Sequence, residues 1–342
     1  MSPHDAASIR KPRTDDRRLL DIELGICGYM AVLIAHKLKL FSLLGEAPRT
    51  LAEVCQALKL ARRPAEALIN VSLSLGLLQK QGEYYGLSPL AEDYLLEASP
   101  TYFGGVLDLD LAAPYSFESL EQAVLTNAPQ VYGGGDWVKS HEEQAGAART
   151  FTRAMHGYSV GPALAWPAAL DLSEHRLMLD IGGGSAAHCM GAVLTWPNLQ
   201  AIDFDIAPVC EVALEFVSRQ GLQSRIRAQV GNMWNDPFPA ADLHFYSMIF
   251  HDWPSDRCGV LCRKSFESLE PGGRIIIHEM LYDDDKTGPF TVAAFNIMML
   301  FATEGEQYSG RELTAMLTEA GFTDIAVKQT FGYWSIVTGR KP

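Results

Sequence analysis

The sequence predicts an α/β protein, a mostly parallel sheet with an antiparallel C-terminal hairpin, preceded by a mainly helical domain. Three observations carry that expectation. From about residue 175, short apolar runs alternate with helical segments, the pattern of parallel strands covered by helices on both faces. One of those runs, "LMLDIGGGSAAH", turns through three glycines into a helix. Over roughly the first hundred residues the apolar spacing is helical.

At 342 residues the chain exceeds one typical domain, so two are expected. Its net charge of −13 repels phosphate backbones, and no basic patch offsets it, so no nucleic-acid partner is expected. Cys27, Cys55, Cys189, Cys210, Cys258 and Cys262 form no CxxC pair. They read as buried free thiols, which suits a reducing cytoplasm. No signal peptide is apparent and no run reads as long enough to span a bilayer, so a cytoplasmic protein without a membrane partner is expected.

The first helix, in "LLDIELGICGYMAVLIAHKLKLFSLL", is apolar almost all round. It should be buried on more than one side, and such a helix near a terminus often packs on a second subunit. Thr50 and Glu53 have the spacing of a capping box. A second helix, Pro64 to Leu77, and the hairpin "LLQKQGEYYGLS" complete a winged-helix pattern. A DNA-reading helix would carry several cations and amides, whereas this one has Arg62, Arg63 and Glu66 on an otherwise apolar or neutral segment. Subunit or ligand packing is the better expectation. Residues 101–170 read as connecting helices. "GGGD" at 133–136 is a loop with no strand before it. Phe151, Met155 and Tyr158 share one helical face and read first as a core stripe.

Strands follow at "RLMLDI", "LQAIDFD", "IRAQV", "LHFYSMIF", "GRIIIHEM", "IAVKQT" and "YWSIVTG". Glycines after the first of these let the backbone approach a ligand at a helix N-terminus. Gly182, Gly184 and Ala187 satisfy a dinucleotide pattern, and Asp203 and Asp205 lie where an acid binds ribose hydroxyls. NAD and S-adenosylmethionine fit this loop equally. The fourth strand runs through Tyr246, Met248, Ile249 and Phe250 and ends on His251 and Asp252. Such a tip is either a polar junction or a catalytic base at the open end of a parallel sheet.

The motifs "VGNMW", "HDW", "LEPGGRIIIHEM" and "ELTAMLTEAGF" then occur in order. With the glycine turn, they make the chain resemble the small-molecule O-methyltransferases of the caffeate and acetylserotonin type, from about residue 20 to the end. The resemblance implies a Rossmann-like class I methyltransferase domain behind a winged-helix dimerisation domain. It also implies a homodimer through the N-terminal helices, and S-adenosylmethionine as donor with S-adenosylhomocysteine as product. The implied divisions are 1–18 (leader), 19–110 (dimerisation), 111–170 (linking helices of the acceptor pocket) and 171–342 (catalytic). Gly182, Gly183 and Gly184 form the cofactor turn. Asp205 matches the ribose acid, Asn232 and Met233 the adenine pair, and Ser247 a position near the cofactor. Phe151, Met155 and Tyr158 match one wall of the acceptor pocket, and Ile297, Met298 and Ala302 another.

His251 matches the family's general base. A phenol with a pKa near ~10 attacks poorly until a base takes its proton. Asp252 stabilises the loop or the cofactor region. Glu279 matches the first of two glutamates that orient the histidine. At the second, Gln307 stands in register, and Glu306, one residue away, points elsewhere. An amide positions an imidazole but does not balance its charge. That departure keeps a sulfur acceptor open as an alternative, for example 4-methylthio-2-hydroxybutyrate. A thioether needs no base, and His251, Arg153, His156 or Tyr158 would then bind substrate. Arg153 equally reads as a surface charge and His156 as a packed ring. An iron site built on His251 and Asp252 lacks its third ligand near Met298 to Thr303, so no metal is expected. From other classes, a winged-helix regulator and a nicotinamide dehydrogenase remain as lower alternatives.

Overall fold

The computed structural model describes residues 11–112, 116–131 and 145–342. The "GGGD" loop lies outside the described residues. The chain divides into two units, Met1–Tyr102 and Phe103–Pro342, so the whole of the predicted linking segment 111–170 falls within the second.

The first unit contains α1 (Arg17–Lys37), α2 (Leu40–Glu46), β1 (Arg49–Thr50), α3 (Leu51–Leu58), α4 (Arg62–Ser74), β2 (Leu78–Gln81), β3 (Tyr84–Leu87) and α5 (Pro89–Tyr94). The capping box forms: the Thr50 N–H donates to Glu53 Oε2 at 2.7 Å and the Glu53 N–H to Thr50 Oγ1 at 3.4 Å. Helix α4 starts earlier than predicted and ends before Gly76, whose φ of 73° is left-handed. The hairpin β2–β3 pairs as predicted, and β1 joins its β3 edge.

Helix α1 corrects two expectations. Most of its apolar surface is uncovered, with Leu19 70% and Ile26 64% exposed. Leu20, Ile22, Leu24, Met30 and Ile34 are exposed too. It is also long and apolar enough, by length and composition alone, to cross a membrane. The expected burial of free thiols holds for Cys189, Cys210, Cys258 and Cys262, but Cys55 is half-buried and Cys27 on α1 is exposed.

The second unit begins with α6 (Gly104–Ala112), α7 (Phe117–Thr126) and α8 (Ala145–Ala165). There follow β4 (Leu177–Ile181), α9 (Ala187–Thr195), β5 (Gln200–Asp205), α10 (Ala207–Arg219), β6 (Ile226–Val230) and β7 (Leu243–Ser247). The unit ends with α11 (Ser255–Ser268), β8 (Arg274–Met280), α12 (Phe290–Ala302), α13 (Gly310–Glu319), β9 (Thr323–Phe331) and β10 (Trp334–Arg340). The seven strands order as β6-β5-β4-β7-β8-β10-β9. All neighbours are parallel except the pairs made by β10.

Alternate residues of each central strand feed two cores. Leu179, Tyr246, Ile275 and Ile277 pack with Leu261, Cys262, Leu313 and Leu317 of α11 and α13. Met178, Phe245 and Ile276 pack on the other side with Trp166 and with Cys189 and Val193 of α9. Strand β7 leads to the opposite side of β4 from β5. The order therefore switches between β4 and β7, and the loops leaving their carboxyl ends emerge side by side. Open α/β sheets bind ligands in that crevice.

Candidate active site

The turn after β4 carries the three glycines. Gly182 and Gly184 have φ of 71° and 63°. A side chain at Gly182 would strike Ile249 Cδ1, and one at Gly183 would strike Asp203 Oδ1. The backbone is thus drawn tightly between the start of the β7 loop and the end of β5. Asp205 Oδ2 accepts from the Gly184 N–H at 3.0 Å and its Oδ1 from the Ile206 N–H at 2.7 Å. Lone pairs remain on that carboxylate for hydroxyl donors. Burial pushes Asp205 up to about 6, and Asp180, facing the same turn, up to about 7. Asp203 is raised by burial and by those two neighbours, and among the described residues neither of its oxygens has a hydrogen-bond partner. Buried carboxyls of this kind around a glycine cradle suit a cationic ligand with hydroxyls, as S-adenosylmethionine is.

The other residues expected at the cofactor lie after β6 and at the end of β7. Asn232 Oδ1 accepts from the Trp234 N–H at 2.8 Å, and its own N–H donates to Asp236 Oδ2 at 2.8 Å. No described residue takes its side-chain NH2, which can face a base edge. Met233 is buried beside it. Ser247, the last residue of β7, hydrogen-bonds His278 Nδ1 at 2.9 Å.

His251 lies beyond the strand, contrary to the sequence reading. Strand β7 ends at Ser247, Met248 takes a φ of 57°, and Phe250–Asp252 form a 3-10 turn. Glu279 of β8 shapes that turn, since its Oε1 accepts the N–H groups of Ile249 and Phe250, both at 3.1 Å. Its other oxygen, Oε2, lies 3.3 Å from His251 Nδ1. Gln307 Nε2 lies 2.9 Å from the same nitrogen. Asn296 Oδ1 accepts the Gln307 N–H at 2.7 Å and so fixes that loop. Glu306 points away to Lys286, at 3.4 Å. Among the described residues, His251 Nε2 makes no hydrogen bond, and Asp252 Oδ1 lies 3.6 Å from it, beyond hydrogen-bond length. Nδ1 is therefore enclosed, and Nε2 is the nitrogen left for a proton from a guest.

A base at Nε2 requires the ring hydrogen on Nδ1, and that hydrogen requires an acceptor. Among the described residues, Glu279 Oε2 and Gln307 Oε1 are buried without hydrogen-bond partners and stand beside that nitrogen. A half-turn of the Gln307 amide exchanges its ends and presents Oε1 to Nδ1. Burial pushes His251 down to about 3. It pushes Asp252 up to about 8, and Glu279 to about 8 by burial first and the Asp252 charge second.

Beside the imidazole lies an apolar cluster that sequence reasoning missed. Phe295 meets the His251 ring edge-on at 5.3 Å. It packs with Val292, Met299, Met280 and Trp334, and Met298 lies against them. The spacing of 292, 295 and 299 was the available signal. Ile297 projects from the other side of α12 and is 48% exposed, whereas Met298 of the same predicted wall lies against the cluster. Ala302 is half-buried. On α8, Tyr158 stands edge-on to Phe103 at 4.8 Å, and Phe151 and Met155 are half-buried. Arg153 is exposed, and both its contacts go to Glu215, at 2.8 and 2.9 Å. That ion pair supports the surface-charge reading. His156 stacks on Phe216 at 3.8 Å and bonds Ser185 Oγ at 2.8 Å, next to the glycine turn.

A doubly wound sheet with a glycine cradle and a buried imidazole at its switch point defines a cofactor-dependent group-transfer enzyme. The model of the O-methyltransferase domain family matches residues 117–323, and the chain belongs to that family. It is 31% identical to the 3-hydroxy-5-methyl-1-naphthoate 3-O-methyltransferase of Streptomyces sahachiroi, over 90% of this chain and 89% of that one. It is 29% identical to the tetracenomycin polyketide synthesis 8-O-methyl transferase of Streptomyces glaucescens over the full length of both. The crystal structure of human N-acetylserotonin methyltransferase in complex with S-adenosylmethionine superposes with a TM-score of 0.83 at 28% identity, covering 97% of this chain and 99% of that one. The protein is thus a class I, S-adenosylmethionine-dependent O-methyltransferase of small molecules. The sulfur acceptor finds no support in these matches, and the regulator and dehydrogenase readings fall with them.

Proposed function

We propose that the enzyme methylates a hydroxyl on a planar aromatic molecule, with His251 as general base. The carrying observation is the enclosure of His251 Nδ1 by Glu279 and Gln307, which leaves Nε2 for substrate. The cluster of Phe295, Met299 and Trp334 favours a flat apolar acceptor. Relatives named for naphthoate, a polyketide and acetylserotonin support the same class.

Gly182, Gly183, Gly184, Asp205, Asn232, Met233 and Ser247 would hold the cofactor, which supplies an electrophilic methyl on a sulfonium. His251 Nε2 takes the hydroxyl proton as the oxygen attacks. Glu279 Oε2 accepts from Nδ1 and balances the imidazolium that forms. Phe295 and its neighbours exclude water from the reacting oxygen.

The test incubates the enzyme with labelled cofactor and a panel of phenols, hydroxy acids and thioethers, and identifies products by mass spectrometry. Labelled aryl ethers are expected. Label appearing only on thioethers would defeat the reading.

The helix–helix–hairpin arrangement of the first unit reads as a winged helix used for subunit packing. Helix α1 supports a homodimer, because large apolar side chains such as Leu19, Ile22 and Ile26 lie uncovered on it. Burying each is worth about 1.5–3 kcal/mol, enough to drive association. We place the dimer in the cytoplasm, where the free thiols stay reduced, and without a membrane partner. Cell fractionation tests this placement.

A further inference from the structure

Helix α11 carries two cations one heptad apart, Arg257 and Lys264, and both reach the loop that follows β6. Lys264 Nζ donates to the carbonyls of Met233 and Asp236, both at 2.6 Å, and sits 4.2 Å from the Phe238 ring centre. It pins both ends of the 233–236 turn.

Arg257 makes a different set of contacts. Its guanidinium lies over Trp234 at 4.8 Å and over Trp253 at 4.4 Å. The two indoles meet edge-on at 4.9 Å. Trp234 follows the Asn232–Met233 pair, and Trp253 is two residues past His251. Arg257 also pairs with Glu304 at 3.9 Å. The next residue, Gly305, packs so tightly on the His251 turn that a side chain there would strike the backbone of residues 251–253. Two residues further is Gln307. One planar cation thus touches the cofactor loop, the turn of the base and the loop that orients the base. A guanidinium can stack on two aromatic faces while holding a carboxylate, which an ammonium does not do.

We propose that α11 couples the cofactor loop to the His251 turn, with Lys264 fixing the loop and Arg257 joining the two. Both are positioning residues. The proposal rests on the reading of Asn232 and Met233 as the adenine site. When cofactor orders the 232–236 loop, Trp234 is held, and Arg257 transmits that order to Trp253 and, through Glu304, to Gln307. The base is then aligned only with cofactor in place.

The test uses the full-length enzyme and S-adenosylhomocysteine, with calorimetry for affinity and hydrogen exchange for coupling. In the wild type, saturating ligand should protect residues 182–186, 232–236, 248–258 and 303–307 from exchange. Arg257→Met should keep protection at 182–186 and 232–236 and lose it at 248–258 and 303–307. Arg257→Lys should not restore it. Lys264→Met should weaken binding about 10-fold, as expected for two charge-assisted hydrogen bonds, yet keep the coupled protection once saturated. Glu304→Gln, a milder surface change, should lose protection only at 303–307. Full protection at 248–258 in folded Arg257→Met would overturn the coupling. A wild type that does not bind S-adenosylhomocysteine would instead overturn the cofactor site.

Discussion

The side-chain amide of Gln307 stands 2.9 Å from Nδ1 of His251, on the nitrogen that Glu279 Oε2 approaches to 3.3 Å. The imidazole is therefore flanked by one carboxyl and one amide. Burial lowers His251 to about 3 and raises Glu279 to about 8, so each is disfavoured as a lone charge in the closed site.

Replacing His251 with Ala removes the proton acceptor but none of the cofactor cradle. Turnover should fall by about 10²–10⁴-fold, the usual worth of a positioned base. The dissociation constant for S-adenosylmethionine should stay within about twofold. Steady-state kinetics and calorimetry separate the two, and unchanged turnover would remove His251 from the chemistry.

Gln307→Glu places a second carboxyl on Nδ1. A negative partner favours the imidazolium, so the ring pKa rises. The neutral base is then lost at a higher pH as the solution is acidified. The acid limb of the pH–rate profile should move up by about one unit. An unmoved limb would show that Gln307 does not act on the ring.

Two glycines test the two halves of the site. Gly183→Ala pushes a methyl into Asp203 and should abolish cofactor binding. Gly305→Ala pushes one into the backbone of the His251 turn and should cut turnover while cofactor still binds. Loss of cofactor affinity in Gly305→Ala, in a protein that still melts cooperatively, would contradict that division.

Stability should fall on both sides of a mildly acidic optimum. Asp180, Asp205, Asp252 and Glu279 hold protons more tightly when folded, with pKa values of about 6 to 8 against 3.8 to 4.5. For them the folded state binds more protons, so stability falls as pH rises from about 4 to 8. His156, His188, His244 and His251 hold protons less tightly, at about 3 to 4 against 6.5. For them stability is complete above 6.5 and falls as pH drops toward 3. Above 6.5 only the acids act, so the ligand-free enzyme should melt at a lower temperature at pH 8 than at pH 6.5. Calorimetric scans at the two values check this.

Helix α1 should hold the dimer. Charging its apolar surface with Ile22→Lys and Ile26→Glu should convert a dimer to a monomer in sedimentation velocity. An unchanged mass would place the interface elsewhere. Flotation of the wild type with lipid vesicles would show instead that this helix meets a membrane.

Much of the architecture was legible from local pattern. The strand–helix alternation, the Thr50–Glu53 cap and the glycine turn depend on neighbours a few residues apart, so spacing reveals them. The resemblance to the O-methyltransferase family, with "GEQYSG" in its register, implied that Gln307 faces His251 and Glu306 points away. Other features were not legible, because they are settled by partners far along the chain. On α12, Phe295 and Met299 turn toward Met280 and Trp334, strands away, with Met298 against them and Ile297 outside. Arg153 was ambiguous because its partner, Glu215, is on another helix.

From residue order alone came the parallel sheet, the glycine cradle and the identity of the buried imidazole, since each rests on local periodicity or a short motif. The crossing of the chain between β4 and β7, the placing of the imidazole in a 3-10 turn and the enclosure of its Nδ1 came only with folding. Those features need groups about thirty and fifty residues away to converge, and only packing, with burial of their polar atoms, brings that about.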